Sequence, residues 1–158
     1  MKIRNLQPQD RNRILEIVTA VGNFNETEIY VAMELVDDAL ARHEDSDHIV
    51  RVLEDASGFV PGYVCFGKTP LTDSTYDFYW MAVHPDSQHQ GFGRTLISFV
   101  EHDVKRRGGT LLVLETSSLA SYQRTVRIYE QCGYVPAARI RNFYRAGDDK
   151  LVYIKELG

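Results

Sequence analysis

The sequence predicts an α/β fold on a mixed sheet, and three stretches carry that prediction. Thr110 to Glu115 follows Gly108-Gly109 and is almost wholly apolar, as a buried parallel strand should be. Ahead of it, Gly93 to Arg107 has helical periodicity, with Leu96, Ile97, Val100 and Val104 on one face. That helix reads as the right-handed crossover from a preceding strand at Tyr76 to Val83. His48 to Leu53 and Phe59 to Gly67, joined at Asp55-Ala56-Ser57-Gly58, read as a strand pair. Tyr134 to Ile140 and Leu151 to Lys155, with a turn at Ala146-Gly147-Asp148-Asp149, form the last two strands.

The remaining elements follow in order. Lys2 to Leu6 alternates as a short first strand. Pro8 opens a helix with Ile14, Ile17, Val18 and Val21 on its apolar face, and Gly22 ends it. Asn25 and Glu28 stand at the two positions of a capping box, starting a second helix with Ile29, Ala32, Met33, Val36 and Leu40 on one face. An acidic loop, Glu44-Asp45-Ser46-Asp47, closes it. Pro61-Gly62 suits either a bulge in the third strand or a strand start at Tyr63. Phe78 to Val83 is apolar and aromatic, and reads as buried on both faces. After Thr116-Ser117-Ser118 a helix runs from about Tyr122 to Cys132, stopped by Gly133. The order is βααβββαβαββ.

Bulk properties narrow the function. A chain of 158 residues fits one domain, residues 1–158, with one core. It is 44% hydrophobic and 25% charged, as in soluble globular proteins, and no apolar stretch approaches a bilayer span. The first residues, Met1-Lys2-Ile3-Arg4-Asn5, lack the apolar core of a signal peptide, so a cytoplasmic protein is expected. Cys65 and Cys132 lie in apolar patterns and read as reduced structural residues. The five histidines have no HxxxH or CxxC partner, so no metal is expected. A net charge of −4 argues against nucleic acid as a partner.

The functional signal is the junction Gln88-His89-Gln90-Gly91-Phe92-Gly93 between strand and helix. Gly91 and Gly93 let a ligand approach the backbone, and the first amides of the helix lack intrahelical partners. With the helix dipole these make a phosphate or pyrophosphate site, although a tight strand-to-helix turn needs the same glycines. It is no Walker loop, since Gly93-Arg94-Thr95 lacks the lysine and the earlier glycine. Nor is it a dinucleotide fingerprint, since Leu96 occupies the third glycine position.

Gln88, Gly91 and Gly93, directly after Ala82-Val83-His84-Pro85, resemble the Gln/Arg-x-x-Gly-x-Gly/Ala loop of the GCN5-related N-acetyltransferases. Val126 to Tyr134 resembles that family's A-x-x-x-Tyr-x-x-x-Gly-Phe/Tyr motif, with Tyr129 in register and Thr125 in place of the usual alanine. The resemblance implies the acyl-CoA N-acyltransferase fold, a central mixed twisted sheet with helices on both faces. It implies acetyl-CoA as co-substrate, with Gln88, His89, Gln90, Gly91, Phe92, Gly93, Arg94 and Thr95 holding its pyrophosphate. Met81, Ala82 and Val83 would bond the pantetheine arm through their backbone, which requires a bulge. Ser117, Ser118 and Tyr122 are further candidate cofactor contacts.

The reaction implied is acetyl transfer from the thioester to a primary amine of a small molecule or protein, by direct attack in a ternary complex. The attacking amine must be neutral, charge must be stabilised on the carbonyl oxygen, and the leaving thiolate needs a proton. The resemblance makes Tyr129 the general acid, a phenol with a pKa of about 10 that stays protonated at neutral pH. Asp77 falls where a glutamate or histidine base stands in family members, and shares one strand face with Tyr79. Glu115 is the second candidate base. Phe24, Tyr79 and Tyr144 are candidate acceptor contacts; Phe24 suits a hydrophobic staple equally well. No cysteine sits in a nucleophile setting. Expected partners are acetyl-CoA and an amine, with no membrane or nucleic acid, in a monomer or homodimer. The competing class is a non-catalytic acyl-CoA sensor that keeps the loop without turnover.

Overall fold

The computed structural model describes residues 1–158. Seven strands lie in the order β1-β2-β3-β4-β5-β7-β6. Contacts divide the chain into two compact units, Met1–Gly67 with Trp80–Val100, and Lys68–Tyr79 with Glu101–Gly158. Strand β4 (Thr75–Val83) and helix α3 (Phe92–Arg106) each contribute to both.

In the first unit, β1 (Lys2–Asn5) pairs antiparallel with β2 (Ile49–Glu54), and β2 with β3 (Gly62–Lys68). Helix α1 (Asp10–Val21) starts two residues after Pro8, because Asp10 is the anchor of that corner. Its buried carboxylate accepts the Gln7 amide at 2.8 Å and both terminal nitrogens of Arg4 at 2.8 and 3.0 Å. Arg4 also bonds Glu54, so β1, β2 and the helix start share one ionic node. Helix α2 (Glu26–Arg42) opens on the expected capping box between Asn25 and Glu28, with both reciprocal bonds at 2.8 Å. Ile14, Ile17, Val18, Ala32, Met33 and Val36 are buried on the two helices. Strand β3 is covered on both faces. A Cβ at Gly62 would point at Val83 and Leu96 of α3. Cys65, of opposite parity, is raised in pKa by burial and then by Asp38 of α2.

In the second unit, β4 pairs parallel with β5 (Leu111–Ser117), from Thr75↔Leu111 to Phe78↔Leu114. β5 pairs antiparallel with β7 (Asp148–Glu156), and β7 with β6 (Val135–Arg145). The sheet is therefore mixed. Helix α4 (Gln123–Gln131) begins just after Tyr122, which closes a preceding 3-10 turn. Tyr76, Phe78, Leu112, Leu114, Tyr129, Tyr134 and Tyr153 form the buried face. Lys155 ties this unit together, donating to the Cys132 carbonyl at 2.6 Å and pairing with Glu101 at 2.8 Å.

Three expectations need correction. Phe78 to Val83 is not buried on both faces: only Phe78 and Ala82 are buried, and the residues between and beside them are half-exposed. Strands β6 and β7 are longer than expected and leave only Ala146-Gly147 between them. The two aspartates that suggested a turn are buried in β7 instead, tied to neighbouring side chains and amides. The third strand starts at Gly62, without a bulge at Pro61.

Gly109 marks the tightest packing in the second unit. A Cβ there would lie 2.8 Å from the Tyr76 ring and against Val104. Gly109→Ala is expected to cost about 1–3 kcal/mol through overpacking. Thermal unfolding reads this directly, and an unchanged midpoint would show that the site can relax freely.

Candidate active site

The glycine loop is built from the end of β4 outward. Pro85–Ser87 forms one 3-10 turn whose Ser87 amide bonds the His84 carbonyl at 2.8 Å. The Gln88 side chain donates back to the Val83 carbonyl at 3.2 Å and so fixes the loop to the strand. The backbone then turns left-handed twice, at His89 (φ 64°) and Gly91 (φ 82°). Thr95 makes the first α3 ladder bond, to the Gly91 carbonyl at 3.1 Å. The amides ahead of it lie outside the helix ladder, at its positive end. A Cβ at Gly91 would meet nothing within 4 Å, so the outer side of the loop has room for a ligand. Of the residues expected to hold pyrophosphate, Gln88 to Gly91 lie in this turn and Phe92 to Thr95 form the first turn of α3.

Tyr76 lies beside Val104 of α3, and Phe78 beside Tyr129 of α4. Met81 reaches toward Gly93, and Val83 toward Leu96, at the start of α3. Trp80 packs edge-on against Phe24 of the α1–α2 connection, with ring centroids 4.9 Å apart.

In the second unit, Tyr129 is 6% exposed and lies edge-to-face with Phe78 and Tyr134, at 5.8 and 5.5 Å. Burial, then the nearby Cys132 thiol, raises its pKa well above the ordinary phenol value. Burial and the Glu101 carboxylate raise Tyr134 likewise. The upward shift of Tyr129 comes from burial and Cys132, with no hydrogen bond contributing to it.

The two candidate bases lie on the other face of the same strands. Asp77 pairs with Val113 and Phe78 with Leu114, so Asp77, Tyr79 and Glu115 turn away from Tyr129. Asp77 Oδ2 accepts from Thr69 Oγ1 at 2.8 Å and from the Tyr79 hydroxyl at 3.4 Å. Glu115 is half-exposed and pairs with Lys150 at 2.8 Å. Lys150 sits 3.9 Å over the Phe143 ring, and Phe143 packs edge-on against Tyr144.

Ser117 and Ser118 are occupied in building the β6–β7 turn. Ser117 Oγ donates to Asp148 and accepts the Leu119 amide at 3.1 Å. Ser118 Oγ accepts the Asp149 amide at 2.8 Å. Tyr122, the third candidate cofactor contact, is half-buried. Sequence reasoning missed Trp80, Thr69, Phe143 and Lys150. Lys150 was hidden because the last strand was expected to start one residue later, which left its pairing with Ser117 unseen. No group of three or more His, Cys, Asp or Glu is placed to hold a metal, and no helix is long and apolar enough to cross a membrane.

The mixed sheet, the glycine turn at the start of α3 and the buried tyrosine of α4 are those of the acyl-CoA N-acyltransferase folds. The chain belongs to the GNAT acetyltransferase family, whose domain model matches residues 45–136, including both the loop and Tyr129. A GNAT-family protein from Desulfovibrio desulfuricans is 42% identical, with a TM-score of 0.93 over 99% of both chains. A Salmonella typhimurium structure solved with its cofactor acetyl-CoA shares the fold at 23% identity and a TM-score of 0.77, over 100% of this chain and 94% of that one. The ribosomal protein bS18-alanine N-acetyltransferase of Escherichia coli is 36% identical over 70 residues, 44% of this chain and 46% of that protein. The match thus spans under half the length of that curated relative.

The open side of Gly91 generates a test of the loop. Gly91→Val places a branched side chain where φ is 82° and where the ligand would lie. The variant is expected to bind acetyl-CoA at least about tenfold more weakly by calorimetry. Unchanged affinity would move the pyrophosphate site elsewhere.

Proposed function

We propose that the chain is an acetyl-CoA-dependent N-acetyltransferase that transfers acetyl to a primary amine by direct attack. The observation that carries this reading is the left-handed turn at the start of α3, whose amides lie outside the helix ladder and whose outer side is open at Gly91, as an acyl-CoA pyrophosphate requires. A transfer reaction also needs a donor for the leaving thiolate and an acceptor for the amine proton.

Acetyl-CoA supplies the activated acyl group as a thioester. The Gln88–Thr95 turn holds its pyrophosphate, and the Met81–Val83 backbone holds its pantetheine arm. Glu115 or Asp77 takes the proton that the amine must lose to attack. Asp77 Oδ2 accepts from Thr69 and Tyr79, and Glu115 Oε2 pairs with Lys150, so each carboxylate keeps a second oxygen for the amine. Tyr79 and Tyr144 are the candidate acceptor contacts of the second unit, and Phe24 is that of the first. Tyr129 donates its proton to the thiolate as the carbon–sulfur bond breaks, and the second proton that the nitrogen sheds as the amide forms restores the phenol through solvent. Holding the two reactants together contributes much of the rate in any such mechanism.

Tyr129→Phe removes one oxygen and keeps the ring packing. It is expected to lower kcat by about 10²-fold or more while acetyl-CoA affinity holds. The active form of Tyr129 is protonated, and its pKa is raised, so this group remains competent as pH climbs to about 10. The wild-type kcat profile should therefore show no alkaline fall from Tyr129 below that pH. Equal turnover of wild type and variant across pH would remove Tyr129 from the mechanism.

A further inference from the structure

Lys150 is placed unlike an ordinary surface lysine. Its side chain is 14% exposed, and its ammonium lies over the Phe143 ring and beside Glu115 Oε2. An ammonium has three donors and a carboxylate has two oxygens. The protein supplies Lys150 with one anionic acceptor, and it occupies one oxygen of Glu115. Each half of the pair keeps unused capacity, on the sheet face that also carries Asp77 and Tyr79.

Stability does not account for this arrangement. Glu115 is 51% exposed, and ion pairs of that kind contribute little to folding. The support beneath Lys150 is nevertheless unusually firm. Asp148 and Asp149, immediately before it, are buried at 2% and 8% exposure and tied to Ser117, Ser118, Arg139 and the Asn142 amide. The Phe143 face removes water from one side of the ammonium and strengthens its attraction for anions.

We propose that Lys150 and Glu115 together select a zwitterionic acceptor: a free amino acid, or a small molecule with a carboxylate beside its primary amine. An α-amino acid carries its two charges one carbon apart, so it can lie antiparallel to the Glu115–Lys150 pair. Its ammonium meets the unused oxygen of Glu115, which then takes the proton. Its carboxylate meets the unused donors of Lys150. Val113 and Val152, half-buried beside Glu115 on the same face, leave apolar room for a side chain. A peptide N-terminus places an amide where this site expects a carboxylate, so it is disfavoured. The inference rests on the proposed acetyltransferase activity.

The experiment measures thiol release with α-amino acids, each paired with the amine lacking its carboxylate, such as alanine with ethylamine and phenylalanine with phenethylamine. The wild type should favour the amino acid in kcat/KM by about tenfold or more, as a charge-assisted contact allows. Lys150→Met should collapse that ratio toward one, and Lys150→Arg should retain most of it. A wild-type ratio near one, or the same ratio in Lys150→Met, overturns the inference and leaves the acetyltransferase reading standing. Thiol release from no amine at all removes the acetyltransferase reading. Calorimetry of the same pairs on the CoA-loaded protein then decides the site alone: tighter amino-acid binding that Lys150→Met abolishes upholds it, and equal binding overturns it.

Discussion

Parallel pairing of β4 with β5 is the constraint from which the site follows. Parallel strands cannot be joined by a tight turn, so the chain must leave β4 through a crossover helix. That places the start of α3 at the end of β4, with its unladdered amides on the turn between them. Gly91 and the fixed Gln88 side chain shape this turn, but the strand order makes it necessary. The same pairing sets the chemistry of the neighbouring faces. Register between Phe78 and Leu114 decides that Tyr129 lies on one side and Asp77 and Glu115 on the other.

Much of this was legible in the sequence because periodicity reports burial. The four helices and seven strands come in the expected order, and Asn25 and Glu28 form the expected capping box. The Gln88–Gly93 turn and the register of Tyr129 were readable as motifs, which is why a GNAT-family resemblance could be stated from residues alone. The shared face of Asp77 and Tyr79 followed from simple alternation.

What was not legible depends on contacts between distant segments. Asp148-Asp149 looks like a solvated turn, yet both carboxylates are buried because Ser117, Arg139 and the Asn142 amide supply their partners. Aromatic density made Phe78 to Val83 look doubly buried, whereas Tyr79, Trp80, Met81 and Val83 are left partly open. The Tyr129 environment is likewise a product of packing: its motif position was readable, but the rings that desolvate it were not.

Strand β6 ends the sheet with every residue exposed, including Val135, Ile140 and Phe143. Such a margin is a template on which other chains can polymerise. Here the template is interrupted. Pro136 offers no amide hydrogen, the pairing with β7 slips after Pro136 and again after Ile140, and Asn142 turns left-handed at φ 52°. Arg139, Arg141 and Arg145 add like charge along the same margin. A second chain docking there in extended form would find its hydrogen-bond run broken before it could lengthen, so the irregularities that carry Phe143 to Lys150 also guard the protein against open-ended fibre growth.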